Sequence, residues 1–465
     1  TLLLTCVGYQ HIRLVSSRVH RDDRVQSGST LLASAMLLWS SLRYLQISSD
    51  SGVPIEQPEQ HMAWVGLFSA MLVISAWQFR VPPRLSATQG LGTWSQALRT
   101  VPLGSLMTML AGSYYFIKGH PSGLAIYVSS LTEIPSLTLH LALFIWCGML
   151  FKQSRMIDLF MNLLRPWQLS PETLTYLILL AAAVPTAYTG GSGAFVMAAG
   201  AIIYHEIRNV GGSRQYALGA TAMSGSLGVV ISPSLIVMSI VAVNNQVTSA
   251  ELFYWGNWVF LMTSTLFFLA SQWRRPTRTR QWPSVLQALP AMMREVPPLL
   301  SHVALVLAVL GMYRVVLHTE LTETSAALIM PVVMLLVVGF DQLMRAQGIG
   351  PDPRQMAHAL RRENSLRASV RVSTSETATH LGGYIYLILL SQALGGVIER
   401  SDLMQWAPSH FDTPYAAMAF LAGLLVLLGM FMEPLGAIFL VSSSLAPLAM
   451  ANGIDPVHFW MLVLV

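Results

Sequence analysis

Charge is scarce in this sequence. Only 11% of its 465 residues are Asp, Glu, Lys or Arg, 54% are hydrophobic, and the mean hydropathy is +0.55. Soluble globular chains carry about 25% charged residues, so an aqueous domain of any size is excluded and a polytopic membrane protein is implied. Cysteine is scarcer still. Cys6 and Cys147 both sit in apolar surroundings, and the two together build neither a disulfide framework nor a metal site. Lysine and arginine are missing altogether from Gln215 to Trp273, so that stretch offers no cation to an acidic ligand. Methionine is missing from the first position, and the last residues, Phe459-Trp-Met-Leu-Val-Leu-Val465, form an apolar run. Both ends read as those of a fragment, and the lack of a signal peptide then carries no information.

Present instead are apolar runs of about 17 to 25 residues, each long enough to cross a hydrocarbon core of roughly 30 Å. They predict spans at 27–47, 61–79, 98–117, 133–151, 217–243, 255–272, 297–316, 326–344 and 375–398. The net charge of +5 gathers in short loops: Arg13 to Arg24, Arg80 to Arg84, Lys152 to Arg165, Arg208 to Arg214, Arg274 to Arg294 and Arg345 to Arg371. Loops 48–60, 244–254 and 317–325 have neither lysine nor arginine. Basic loops between spans orient a chain in the membrane, so no nucleic-acid partner is expected and lipid is the surrounding.

Alternating the loops across the membrane works except around 173–204, which has basic loops on both sides. A segment that enters from the cytoplasm and returns satisfies both. Its midpoint, Pro185-Thr-Ala-Tyr-Thr-Gly-Gly-Ser-Gly-Ala194, puts proline, glycines and hydroxyls where an unbroken helix would shield the backbone, which predicts the tip of a re-entrant hairpin. Ala222-Met-Ser-Gly-Ser-Leu-Gly-Val-Val-Ile-Ser-Pro-Ser234 repeats the device as a broken helix. A third interruption, Met432-Glu433-Pro434, divides the apolar run 414–450 into two arms. Parity has it enter from the outer side. Two hairpins of opposite orientation predict an all-α, inverted-repeat fold with broken helices around the site.

From about Glu133 onward the chain resembles the large membrane subunit of TRAP transporters, the tripartite ATP-independent periplasmic carriers. The matching stretches are Ile134-Pro-Ser-Leu-Thr-Leu-His-Leu-Ala-Leu-Phe-Ile-Trp-Cys-Gly148, Gly190-Gly-Ser-Gly193, Gly225-Ser-Leu-Gly-Val-Val-Ile-Ser-Pro-Ser234, Leu321-Thr-Glu-Thr324, Leu428-Gly-Met-Phe-Met-Glu-Pro434 and Asn452-Gly-Ile-Asp-Pro-Val-His-Phe459. The first eighty residues are similar to the small subunit, in Gly8-Tyr-Gln-His-Ile-Arg13 and Gly52-Val-Pro-Ile-Glu-Gln-Pro58. The chain thus looks like a fusion: 1–80 small-subunit helices; 81–132 connection and first large-subunit helix, the large subunit starting near 98; 133–272 first repeat; 273–374 scaffold; 375–465 second repeat, truncated.

The resemblance implies an elevator-type member of the ion-transporter superfamily in the bacterial inner membrane, and not an enzyme. It implies a sodium-coupled importer of an organic acid (dicarboxylate, sialic acid or another carboxylate) delivered by a periplasmic binding protein, with no cofactor beyond sodium as coupling ion. It implies sodium contacts at Thr189, Gly191, Ser192, Gly193, Gly228, Val230 and Pro233, whose opened backbone would turn oxygens toward a hard cation. The same glycines equally allow close helix packing. Ser192, Ser224, Ser226, Ser232 and Ser234 are candidates for the substrate carboxylate, or for bonds to their own helix backbone. In the second hairpin the candidates are Gly429, Glu433, Pro434, Ser442, Ser443 and Ser444, with Glu433 placed either to hold a cation or to cap the following helix. A passive channel is the alternative function. A rhomboid-type serine protease, built on Gly190-Gly-Ser-Gly193, is weaker, since the nearest histidine, His205, lies at the cytoplasmic end of the returning arm.

Overall fold

The computed structural model describes residues 20–52, 58–81, 93–129, 135–189, 192–232, 234–244, 246–273, 285–319, 323–347, 365–401, 408, 410–431 and 434–464. Among them every regular element is helical. In chain order these are α1 His20–Ser51, α2 Pro58–Arg80, α3 Trp94–Leu98, α4 Leu103–Ile117, α5 Gly123–Ser129, α6 Pro135–Gln153 and α7 Met156–Leu164. There follow α8 Pro171–Thr189, α9 Ser192–Asn209, α10 Arg214–Ser226, α11 Leu235–Val243, α12 Ser249–Trp273, α13 Val285–Val316 and α14 Glu323–Ala346. The last are α15 Leu366–Arg400, α16 Pro414–Phe431, α17 Pro434–Leu440, α18 Ala446–Ala451 and α19 Pro456–Leu464. Among the described residues five stretches, namely α2, α12, 286–316, 325–346 and α15, are long and apolar enough to cross a membrane. The protein is a multi-pass membrane protein. The predicted span 98–117 begins late, at Leu103, because Pro102 holds extended backbone (φ −60°, ψ 138°) and stops a helix from running through it.

The chain divides into two compact units. The first comprises Thr1–Leu139 and Ala378–Phe459. Here α1 packs along α2, with Ser27, Thr30, Ser34, Ser40 and Ser41 buried. Thr30 and Ser34 donate to the carbonyls one turn earlier, Gln26 at 2.7 Å and Thr30 at 2.8 Å, so a polar face stays satisfied while remaining narrow enough for close contact. Ser40 Oγ accepts the Ala125 N–H of α5 at 3.0 Å. The part of α15 in this unit joins α4 through Thr108 and Tyr386 (3.2 Å between hydroxyls), while Tyr115 donates to the Ala393 carbonyl at 3.1 Å. Gly396 faces the hydroxyls of Tyr127 and Tyr115, and any side chain there would strike them.

The second unit comprises His140–Thr377 and Trp460–Val465. Its largest apolar cluster joins α7 through Met161, α8 through Leu174, Ile178 and Ala182, α9 through Phe195, Ala199, Ile203 and Ile207, and α10 through Ala217 and Ala220. Another joins Cys147 and Leu150 of α6 to Val309 of α13 and to Ile329, Val333, Met334 and Val337 of α14. Two polar links fasten the start of α15 to α6: Lys152 to Glu376 at 2.9 Å and Trp146 Nε1 to Thr374 at 3.1 Å.

Buried between α13 and α14 lies a pair that the sequence pattern hides. His302 Nε2 stands 2.7 Å from Asp341 Oδ1, with the two side chains 3% and 1% exposed. His302 Nδ1 lies 2.7 Å from the Pro298 carbonyl. A carbonyl only accepts, so Nδ1 carries a proton. The second carboxylate oxygen of Asp341 accepts the backbone N–H of Arg155 at 2.8 Å. Arg155 is the residue before α7, so Asp341 caps, from another helix, the segment that leads into the first hairpin.

Candidate functional site: a clamped helix break

Two helices joined by Gly190 and Gly191 fold back on each other. Leu174 near the start of α8 and Ile207 near the end of α9 share one apolar cluster. Thr189 ends α8 and Ser192 and Gly193 open α9, so the glycine tip falls between the arms. Gly190 and Gly191 themselves, and the side chains of Thr189 and Ser192, lie outside the described residues. Gly200 lets α9 approach α10 closely, a Cβ there falling 2.9 Å from Thr221 Cγ2.

The expected broken helix is observed, and its parts can be assigned residue by residue. Ser213 caps α10 by accepting the Tyr216 N–H at 3.1 Å. The α-helical ladder stops at Ser226, and Leu227 to Val230 tighten into a buried 3₁₀ turn. Ile231 then turns to extended backbone (φ −95°, ψ 144°). Ser234, fully buried, caps α11, its hydroxyl oxygen facing the Val237 N–H at 3.4 Å. Pro233 lies outside the described residues.

Two glycines hold this turn in place. At Gly228 an added Cβ would meet the Ala183 carbonyl oxygen at 2.6 Å and the Ala183 Cα at 2.7 Å, both backbone of α8. At Gly256 of α12 it would strike the Val230 carbonyl oxygen. The opened backbone is therefore gripped from both sides by main chain, which only glycine permits at these distances. Around it Leu179, Ala183, Leu227, Val230 and Phe260 form a buried apolar wall. Among the described residues no three His, Cys, Asp or Glu side chains gather into a metal-binding group.

The five serine candidates separate. Ser224 and Ser226 donate back to the carbonyls of Thr221 (2.7 Å) and Met223 (3.3 Å) in their own helix. Ser234 is the cap of α11. Ser232 is exposed, in the irregular stretch just before it. Ser192 lies in the first turn of α9.

Sequence reasoning singled out Thr189 and passed over Thr186, one turn earlier. Its side chain is fully buried, donating toward the Ala182 carbonyl at 2.6 Å with the Ser224 carbonyl at 3.2 Å. The available signal was a threonine inside an apolar helix, whose hydroxyl needs a carbonyl partner. His302 and Asp341 were passed over as well, although an ionisable residue inside an apolar run asks for a partner by default.

The segment after α16 opens its backbone by other means. After α16 the chain restarts at Pro434, and α17 gives way to a π turn over Val441–Leu445 that holds Ser442, Ser443 and Ser444. Ser444 donates to the Leu440 carbonyl. Glu433 and the side chain of Ser443 lie outside the described residues. Both α17 and α18 pack on α16. The base is closed by Asn452, which accepts the Phe411 N–H at 3.0 Å and donates to the Leu448 carbonyl at 2.9 Å. Gly429, near the end of α16, has open space where a Cβ would stand.

The family model of the tripartite ATP-independent periplasmic transporter, DctM component, matches residues 96–465. The chain belongs to this family. The match begins two residues before the point at which the large subunit was expected to start. Among its relatives is the C4-dicarboxylate TRAP transporter large permease protein DctM of Rhodobacter capsulatus, 25% identical over 312 residues, or 62% of this chain and 63% of the relative. The protein of the same name in Vibrio cholerae is 26% identical over 293 residues, covering 60% and 61%. The chain thus spans a little over three fifths of the length of these TRAP relatives. Both are permeases, not enzymes.

Proposed function

We propose that this chain is the permease of a sodium-driven TRAP system in the bacterial inner membrane. In this reading it imports a carboxylate handed over by a periplasmic binding protein, and its hairpins move as an elevator between the two faces of the membrane. The supporting observation is the clamped break between α10 and α11. A 3₁₀ turn followed by extended backbone, buried in an apolar wall, leaves carbonyls outside a regular ladder. Unwound backbone of this kind coordinates alkali cations in broken-helix transporters.

The cation is assigned to Thr189, Gly191, Ser192, Gly193, Gly228, Val230 and Pro233. The free amides at the start of α11, with Ser232 beside them, are assigned to the substrate carboxylate, since helix N-termini attract anions. In the second hairpin the same reading singles out Glu433, Pro434 and the π turn as candidate positions. C4-dicarboxylates, named in both relatives, are the substrate class to test first.

The test is uptake of labelled succinate by proteoliposomes containing the full chain, with an added periplasmic binding protein loaded with the same acid. Accumulation that needs both an inward sodium gradient and the binding protein is expected. Conductance without sodium would overturn the carrier and favour a channel.

A further inference from the structure

Thr186 touches the broken helix just before its 3₁₀ turn and within it. Its hydroxyl lies 2.6 Å from the Ala182 carbonyl of its own helix and 3.2 Å from the carbonyl of Ser224, two residues before α10 ends. Its Cβ bounds the space at Gly228, where an added methyl would meet it at 2.8 Å. The hydroxyl has one proton to share between the two carbonyls. One of these belongs to the hairpin arm and the other to the last turn of α10, where the regular ladder runs out. Thr186 is also three residues before Thr189, so it stands in the last turn of α8.

We propose that Thr186 is a positioning residue for cation binding: it fixes the offset between α8 and the opened turn without touching the ion. This rests on the sodium reading above. The physical argument is that cation sites made of carbonyls demand oxygen distances of about 2.3–2.6 Å, while the two halves of this site sit on different helices. Something must hold those helices in register. The Gly228 and Gly256 contacts are steric and set only how closely the elements approach. The Thr186 hydroxyl is a directional link between α8 and the end of α10, and it resists sliding along the contact. A residue of this kind alters affinity for the ion more than the capacity to transport.

The test compares the full chain with Thr186→Val, which keeps the shape and removes the donor, and with Thr186→Ser, which keeps the donor. Uptake in proteoliposomes is measured against sodium concentration, together with the melting temperature of each purified protein. In Thr186→Val the sodium concentration for half-maximal uptake is expected to rise about tenfold, while uptake at saturating sodium falls less than twofold and the melting temperature stays near that of the unaltered chain. Thr186→Ser is expected to return the half-saturation to within about twofold. An unshifted half-saturation in Thr186→Val would overturn the proposal, as would a loss of maximal uptake and melting temperature with sodium affinity intact. If the valine variant does not fold, Thr186→Cys, a weaker donor of similar bulk, carries the same expectation with a smaller shift, and an unshifted value there is equally fatal. Uptake by the unaltered chain that ignores sodium would sink the sodium reading itself. Sodium-dependent uptake with an indifferent Thr186→Val sinks this inference alone.

Discussion

The break between α10 and α11 and the interruption that follows α16 open their helices by different physical means. In the first, glycine does the work: Gly228 and Gly256 admit backbone against backbone, and the break is buried in side chains from α8, α10 and α12. In the second, proline restarts the chain and a π turn adds a residue, while α16 keeps Val426, Leu427 and Met430 more than half exposed. A steric clamp ties the first opening to the precise approach of neighbouring helices, so its geometry fails when that approach changes. A proline and a π turn are properties of the local chain, so the second opening tolerates changes in what surrounds it.

Substitutions can break that contrast. The largest effect is expected at the anchor of the first hairpin. Asp341→Ala strands a buried histidine and frees the Arg155 amide, and removal of one member of a buried pair costs about 3–5 kcal/mol; a fall of several degrees in melting temperature, or failure to recover folded protein, is the expected result. Gly228→Ala comes next. Its methyl meets main chain of α8, which cannot rotate away, and overpacking of this kind costs about 1–3 kcal/mol. Uptake should fall steeply with it. The matched change in the second hairpin, Gly429→Ala, enters open space on a helix and should be neutral or stabilising by up to about 1 kcal/mol. Equal damage from the two alanines would erase the distinction. Asn452→Ala removes the acceptor that closes the second hairpin and should cost about 1 kcal/mol, read as faster amide exchange at Phe411. The smallest effect is expected for Glu206→Gln. Glu206 is buried, but its partner Arg165, at 2.7 Å, is 56% exposed, and pairs with one member open to water contribute about 0.2–1 kcal/mol; a shift in melting temperature beyond a few degrees would show that the burial of Glu206 outweighs the exposure of Arg165.

Local chemistry decides what could be foreseen. The break between α10 and α11 was legible because Gly228, Pro233 and the flanking serines are helix-breaking or capping residues in an apolar run, and the observed ladder stops at Ser226 and resumes at Leu235. The interruption between α8 and α9 was legible from its glycines, since one helix ends at Thr189 and the next opens at Ser192. The grip of Gly256 on Val230 was not, since a lone glycine in a span says nothing about which carbonyl comes to meet it. The partnership of His302 with Asp341 was equally hidden, because 39 residues separate them in the chain and only the packing of α13 on α14 joins them. The helix α7 was read as part of a basic loop. Its nine residues are too few to cross a membrane, and its apolar face serves the cluster under the hairpin.

The π turn at Val441–Leu445 has a consequence for the length of the chain. A π turn inside a helix accommodates one residue more than the regular spiral needs, while the helix on either side keeps its orientation. One of the three serines is therefore surplus to the winding, though not to the opened backbone. Its deletion should leave an ordinary helix with the faces of α17 and α18 still aligned, whereas deletion of a residue from the middle of α16 would turn everything beyond it by about 100°. The second hairpin thus contains a position at which a residue can be lost without disturbing the fold, and at which such a loss would close the opening.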